Sequence, residues 1–238
     1  MLHKTRSIVI HYLRYRESSI IVKMYTEAFG LQSYIENNVR SSKAKNKIAL
    51  FQPLTLLDLV VYHRPDGGLT RLSEIRCHTP FSHLPYDFYK ASMAMFITEV
   101  LGKTLKEETS NPTLFHFLFE SILWLDGAEA NFENFHLQFL LQLSSYMGFA
   151  PQSAAEILEQ LSAAGHYYRS VGEHHTKQGQ TEDILFLERL IQAPYDEVLK
   201  VSHFVRREAL DHIISFYRLH VENFGEIKSL PVLQEVMR

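Results

Sequence analysis

One change of period divides this chain. Between Ser7 and Cys77 the apolar residues come in short runs of Ile, Val, Leu and Tyr, whereas from Tyr86 onward, past Pro80 and Pro85, they recur every three or four residues. Side chains change face every two residues along a strand and every ~3.6 along a helix, so a segment patterned for one cannot bury its apolar face as the other. The chain is therefore expected to be α+β. Residues 1–80 form an N-terminal five-stranded OB-type β-barrel, and residues 81–238 form an all-helical C-terminal domain.

Five runs supply the strands: Ser7 to Tyr12, Ser19 to Thr26, Leu31 to Glu36, Leu54 to His63 and Leu69 to Cys77. Turn material separates them, and Asp66-Gly67-Gly68 is a hairpin signal between the last two. The single long connection, Asn37 to Phe51, lies between the third and fourth runs, as in a five-stranded Greek-key barrel; an SH3-like barrel has the same strand count. The helical half is punctuated by Asn111-Pro112, which pairs a cap with proline at the first helical position, and by the capping box Ser153 to Glu156. Gly165 to Gln180, with three glycines, is expected to be a polar loop, and Val205 to Phe224 the last long helix.

Charge follows the same division. Residues 1–82 hold twelve Lys and Arg against six Asp and Glu, whereas residues 83–238 hold twelve against twenty-one. A front half of +6 and a rear half of −9 suggest that a polyanion meets the barrel while the helices serve another partner. Hydrophobic residues make up 46% of the chain, enough to bury a core in each half. The single cysteine, Cys77, excludes an internal disulfide and any zinc site built on a cysteine pair, which suits a reducing cytoplasm. No apolar run approaches the ~18 residues of a membrane span, so no membrane partner is expected.

Candidate binding residues cluster in the basic front. Arg40, Lys43, Lys45 and Lys47 place four cations in eight residues of the long connection, with small polar residues between them. Such a segment can neutralise several phosphates, although a solvated loop has the same composition. Lys4, Arg6, Arg14, Arg16 and Lys23 add cations on or beside the strands, interleaved with tyrosines. With Val22 and Met24 facing the core, alternation puts Lys23 and Tyr25 together on the outer face, where the ring could stack on a base beside a phosphate contact. Tyrosines on strands also serve as half-buried packing residues. Gly102-Lys103-Thr104 lacks the first glycine of a phosphate loop and follows a helix, so no nucleotide cofactor is expected. The thirteen histidines lack the cysteines or spaced carboxylates of a metal site, and no catalytic signature is present. No catalytic residue and no metal are expected. An OB-type RNA-binding module, a metal-dependent nuclease and a purely protein-binding scaffold remain alternatives to DNA binding.

Several of these segments resemble one family, the RecO recombination mediators. Lys4 to Ile10 is similar to its opening strand. Tyr15-Arg16-Glu17-Ser18, Ile21-Val22 and Thr26-Glu27-Ala28-Phe29-Gly30-Leu31 are similar to its second strand and turn. Val39 to Lys45 resembles its Arg-Ser-Lys loop, Gln52 to Leu57 the strand entry that follows, and Phe224 to Leu230 its ending. The resemblance implies an ATP-independent, cytoplasmic, nucleoid-associated DNA repair protein that binds single- and double-stranded DNA and anneals complementary strands. With its partner RecR, such a protein helps place RecA on strands coated by single-strand-binding protein. Many members carry a four-cysteine zinc module in the helical domain; with no cysteine after Cys77, the Gly165 to Gln180 loop must hold its shape without zinc. The resemblance also implies a helical-domain site for the acidic, apolar-ended C-terminal tail of single-strand-binding protein. The densest cations there are Lys200, Arg206 and Arg207, beside Val201, Phe204, Val205 and Leu210.

Overall fold

A computed structural model describes residues 1–39, 47–63, 68–165 and 177–238, with side chains placed in all of these except 177–181. Its strands are β1 (Leu2–Tyr15), β2 (Ser19–Thr26), β3 (Gly30–Glu36), β4 (Leu56–Tyr62) and β5 (Thr70–Cys77), with a 3-10 turn at Lys47–Phe51. The helices are α1 (Phe88–Thr104), α2 (Pro112–Gly127), α3 (Phe135–Tyr146), α4 (Ala154–Ala163), α5 (Lys177–Gln192), α6 (His203–His220) and α7 (Leu230–Val236). The described chain separates into two compact units, Met1–Gly127 and Ala128–Arg238.

The strands close into a barrel in the order β1-β2-β3-β5-β4, antiparallel throughout except for the short parallel pairing of β3 with β5. β1 starts at Leu2, five residues before the expected start, because it serves two neighbours in turn. Leu2 to Ile8 pair with β4, and Ser7 to Tyr15 pair with β2 across a bulge at Ile10. Such a bulge bends and twists a strand, which allows one long strand to close a small barrel. Val9, Val22, Met24, Tyr34, Leu57, Leu59 and Val61 fill the interior, and Phe51 of the 3-10 turn packs into the same cluster. Each such side chain contributes about 1.5–3 kcal/mol when fully withdrawn from water.

Compactness groups α1 and α2 with the barrel, so this division falls after Gly127 rather than at residue 80, where the period changes. Three contacts explain the grouping. Phe115 and Phe119 of α2 lie over the outer side of the barrel at Arg6 and Tyr25. The α1–α2 connector bonds to the β2–β3 turn, with Leu31 N–H donating to Glu107 O and the Ser110 hydroxyl to Glu27 O. The Asp126 carboxylate at the end of α2 accepts the backbone N–H groups of Ser82, His83 and Leu84 at 2.7–2.9 Å, and its carbonyl accepts the buried Lys90 ammonium. The Pro80 to Pro85 segment is thereby pinned rather than left as a linker, since a carboxylate in a ring of N–H donors is a charge-assisted contact.

The second unit packs α3 to α7 around Phe139, Leu140, Leu187, Ile213, Phe216 and Tyr217, all at most 3% exposed. Ser153 caps α4 by accepting the Glu156 N–H, as the capping box requires. α5 begins at Lys177, inside the segment expected to be loop; the rest of that segment, 166–176 with its histidines, lies outside the described residues. The helix expected to run to Phe224 ends at His220. No helix among the described residues is long and apolar enough to cross a membrane.

Candidate nucleic-acid interface

The outer surface of β1-β2-β3 is built by register. Val22, Met24 and Tyr34 point inward, which sets Ile21, Lys23, Ser33 and Ile35 outward. Past the bulge, His11 pairs with Lys23, which pairs with Ser33; one step along, Leu13 pairs with Ile21 and Ile21 with Ile35, beside Arg71 at the start of β5. The result is a row of hydrogen-bond donors next to an aliphatic strip. Leu13 is 60% exposed. Neither row contains a carboxylate. At the β1–β2 turn Arg14 and Arg16 are exposed, and the Arg16 guanidinium lies 5.1 Å from the centre of the Tyr15 ring.

This surface gathers Lys23 of the expected residues, with Arg16 at the adjoining turn, and adds His11, Leu13, Ile21, Ile35 and Arg71; Arg14 pairs with the core residue Ile20 and so leaves β1 on the opposite side. His11 and Leu13 were hidden in the sequence because the bulge at Ile10 changes which β1 side chains face outward, whereas Ile21 shares the parity of Lys23. Simple alternation from Ile8 would have put His11 and Leu13 inside.

Tyr25 requires a correction. It does leave the core on the same side as Lys23, but it is only 2% exposed, because Phe115 stacks on it with ring centres 6.3 Å apart. It offers no face to a base. Burial, with a smaller contribution from Glu107, pushes its hydroxyl up to about 12. Arg6 is also engaged elsewhere: it donates twice to Glu27, at 2.9 and 2.7 Å, and lies 4.9 and 5.4 Å from the ring centres of Phe119 and Phe115. The hydrogen bond from Arg6 holds the Glu27 carboxyl below the usual range, against the opposing effect of burial. Lys47 is bound to Glu36 in an ion pair. Arg40, Lys43 and Lys45 lie outside the described residues.

Lys4 faces a different sector. With Arg6 and Arg76 it lines a cleft of about 430 Å³ that also holds Glu27, Asp58 and Glu74. Three cations against three carboxylates give that sector no net attraction for phosphate.

In the second unit the three expected partner-binding cations are divided between two sites. Arg206 and Arg207 line a cavity of about 190 Å³ with Phe204, Leu210, Leu233 and Met237, and Arg238 adds a third guanidinium. Lys200 lines a separate cleft with Leu185, Phe186 and Arg189. Arg206 is held in place by donating to Asn134, which in turn donates to Leu199 O. Buried His136 forms part of the cavity wall; burial and Arg206 push its imidazole down to about 3, so it is neutral at physiological pH. Leu233, Met237 and Arg238 were missed because α7 is a single short helix with too few turns to show a period. Among the described residues no group of three or more His, Cys, Asp or Glu could hold a metal ion.

A closed five-stranded barrel of OB type with a donor-lined outer face, followed by helices, defines a class of small β-barrel binding proteins. Within that class the assignment is specific. Residues 1–81 match the family described as Recombination protein O N terminal, and residues 85–231 match Recombination protein O C terminal. Curated relatives named DNA repair protein RecO include that of Bacteroides fragilis, 37% identical with 99% of each chain covered. Those of Flavobacterium johnsoniae and Phocaeicola vulgatus are each 36% identical, with 98% and 99% of each chain covered. The chain belongs to the RecO family.

Proposed function

We propose that this chain serves DNA repair and recombination by holding DNA strands on the barrel without sequence preference and annealing complementary strands. The observation that carries this reading is the pair of carboxylate-free rows on the outer face of β1-β2-β3, where Lys23 and Arg71 flank the Leu13-Ile21-Ile35 strip and Arg16 stands at the adjoining turn. Cations aimed at phosphates supply affinity that falls steeply with salt, and an aliphatic strip takes sugars and base faces without reading base edges. By sequence, Arg40, Lys43 and Lys45 add cations to the same reading. Curated relatives of this length are named DNA repair proteins, in keeping with such a task. The reaction served breaks no covalent bond.

The helical unit recruits partners under the same reading. The cavity edged by Arg206, Arg207 and Arg238 suits the acidic, apolar-ended tail of single-strand-binding protein: the apolar end enters beside Leu210 and Leu233 while carboxylates meet guanidinium groups. RecR is the expected second partner, and RecA is served indirectly, on strands cleared for its loading.

A strand-annealing assay with and without single-strand-binding protein tests the whole. Lys23→Glu with Arg71→Glu should abolish annealing of bare strands and leave the fold intact. Annealing at the wild-type rate by this variant would remove the face from the site. In direct binding, Lys23→Ala should lower the slope of log affinity against log salt by about one.

A further inference from the structure

Because of the bulge at Ile10, His11, Lys23 and Ser33 lie abreast on three neighbouring strands, about 5 Å from one to the next. His11 and Ser33 are exposed and Lys23 is half-buried. Imidazolium, ammonium and hydroxyl all donate hydrogen bonds, and three donors in a line match the oxygens of one phosphate group.

Among the described residues, the charges around His11 are few. From β2 it faces Lys23, and β3 contributes only the neutral Ser33 to the row. The segment before β4 that bonds to Val9 is Leu54-Thr55, which is uncharged. α1 packs on β1 where Gly102 meets Ile10, and the charged residues flanking that glycine are Glu99 and Lys103, one of each sign. Partial burial and then the Lys23 charge lower the affinity of His11 for a proton. An anion between His11 and Lys23 reverses the second influence.

We infer that the His11-Lys23-Ser33 row seats one phosphate group of the bound strand and that strand binding draws a proton from solvent onto the His11 ring. The assignment rests on the nucleic-acid reading of this face. The proton enters the ring nitrogen, and no other bond forms or breaks. Strand affinity is accordingly higher in mildly acidic conditions and lower in alkaline ones.

The test uses the full chain and a labelled oligodeoxythymidine at fixed ionic strength, with binding followed by fluorescence anisotropy from pH 5.5 to 8.0. As pH falls across this range, wild-type affinity should increase about tenfold more than that of His11→Gln, the change that uptake of one proton over one pH unit gives. Comparison with the variant removes contributions from the other twelve histidines. In histidine-selective NMR, the His11 ring should titrate at higher pH with the oligonucleotide bound than without it. Parallel pH curves for wild type and variant, or an unmoved ring titration, would overturn the seat while leaving the nucleic-acid reading intact. Absence of oligonucleotide binding at every pH and at low salt would overturn both.

Discussion

Arg6 and Glu27 are joined by two hydrogen bonds, Nε to Oε2 at 2.9 Å and one terminal guanidinium nitrogen to Oε1 at 2.7 Å. The planar guanidinium matches the carboxylate edge to edge and lies near the rings of Phe115 and Phe119. A cation that reads from the sequence as a phosphate contact thus ties β1, the β2–β3 turn and α2 together. Arg6→Ala should destabilise the first unit by about 1–2 kcal/mol, the range for a charge-assisted pair discounted for partial exposure. Glu27 is held below its usual range, so its contribution is present at neutral pH and is lost as pH falls through its folded-state titration. Denaturation of Arg6→Ala at pH 7 and pH 3 should show the difference from wild type shrinking in acid. Its salt slope for DNA should equal that of wild type; a slope reduced by one would return Arg6 to the binding surface.

Gly30 lies tight against the α1–α2 connector. A Cβ there would lie 2.3 Å from Thr109 O and 2.7 Å from Glu107 O, and the residue sits at φ +64°. Both obstacles are backbone, so neither can swing aside. Gly30→Ala should cost at least about 2 kcal/mol, combining strain in the left-handed region with displacement of the connector. A thermal melt within 1–2 °C of wild type, where roughly 2–4 °C per kcal/mol is expected for a chain of this size, would contradict it.

Asp211 on α6 accepts a hydrogen bond from Gln234 of α7 at 3.1 Å, yet burial, reinforced by Glu208, raises its carboxyl to about 6. The folded chain therefore binds this proton more tightly than the unfolded chain does. The resulting penalty is absent below about pH 4, grows as pH rises through 6 and is complete at pH 7. Asp211→Asn keeps an oxygen for Gln234 and removes the charge. It should stabilise the protein by about 1–2 kcal/mol at pH 7 and by nearly nothing at pH 4, measured by urea denaturation. His136, whose depressed titration costs stability in acid, is present in both proteins and cancels from the difference. An equal gain at both pH values would mean that Asp211 is ionised without penalty.

The Arg206, Arg207 and Arg238 cavity should bind a fluorescent acidic peptide with an aromatic C-terminal residue. Arg206→Glu with Arg207→Glu should weaken that binding at least about tenfold, the loss expected when two cations facing carboxylates reverse sign. DNA affinity should be unchanged. Because Arg206 also holds Asn134, Arg207→Glu alone separates the charge effect from local rearrangement. Equal peptide affinity in all three proteins would place the tail elsewhere, with the Lys200 cleft the next site to test.

Local signals carried much of this architecture. The change of period after Cys77 marks where strands yield to helices, and the five runs became five strands, since alternation and turn chemistry are properties of neighbouring residues. The Thr26 to Gly30 motif was legible as a turn, but its purpose was not. The Thr26 hydroxyl accepts the Phe29 N–H and donates to Gly30 O, Glu27 binds Arg6, and Gly30 admits the connector. The Thr26 bonds are local, but the roles of Glu27 and Gly30 need partners far away in sequence.

The same distinction separates the binding candidates. Residue type alone identified a cationic front and the cations of the last long helix. Which candidates are available was decided by tertiary structure: Tyr25 is covered by α2, Arg6 is bound to Glu27 beside the α2 rings, Lys47 is paired with Glu36, and His11 is turned outward by the bulge at Ile10. Periodicity reports which face of an element a side chain occupies. Whether that face meets water, a helix or a counter-charge depends on where distant segments pack, and local sequence does not encode those long-range contacts.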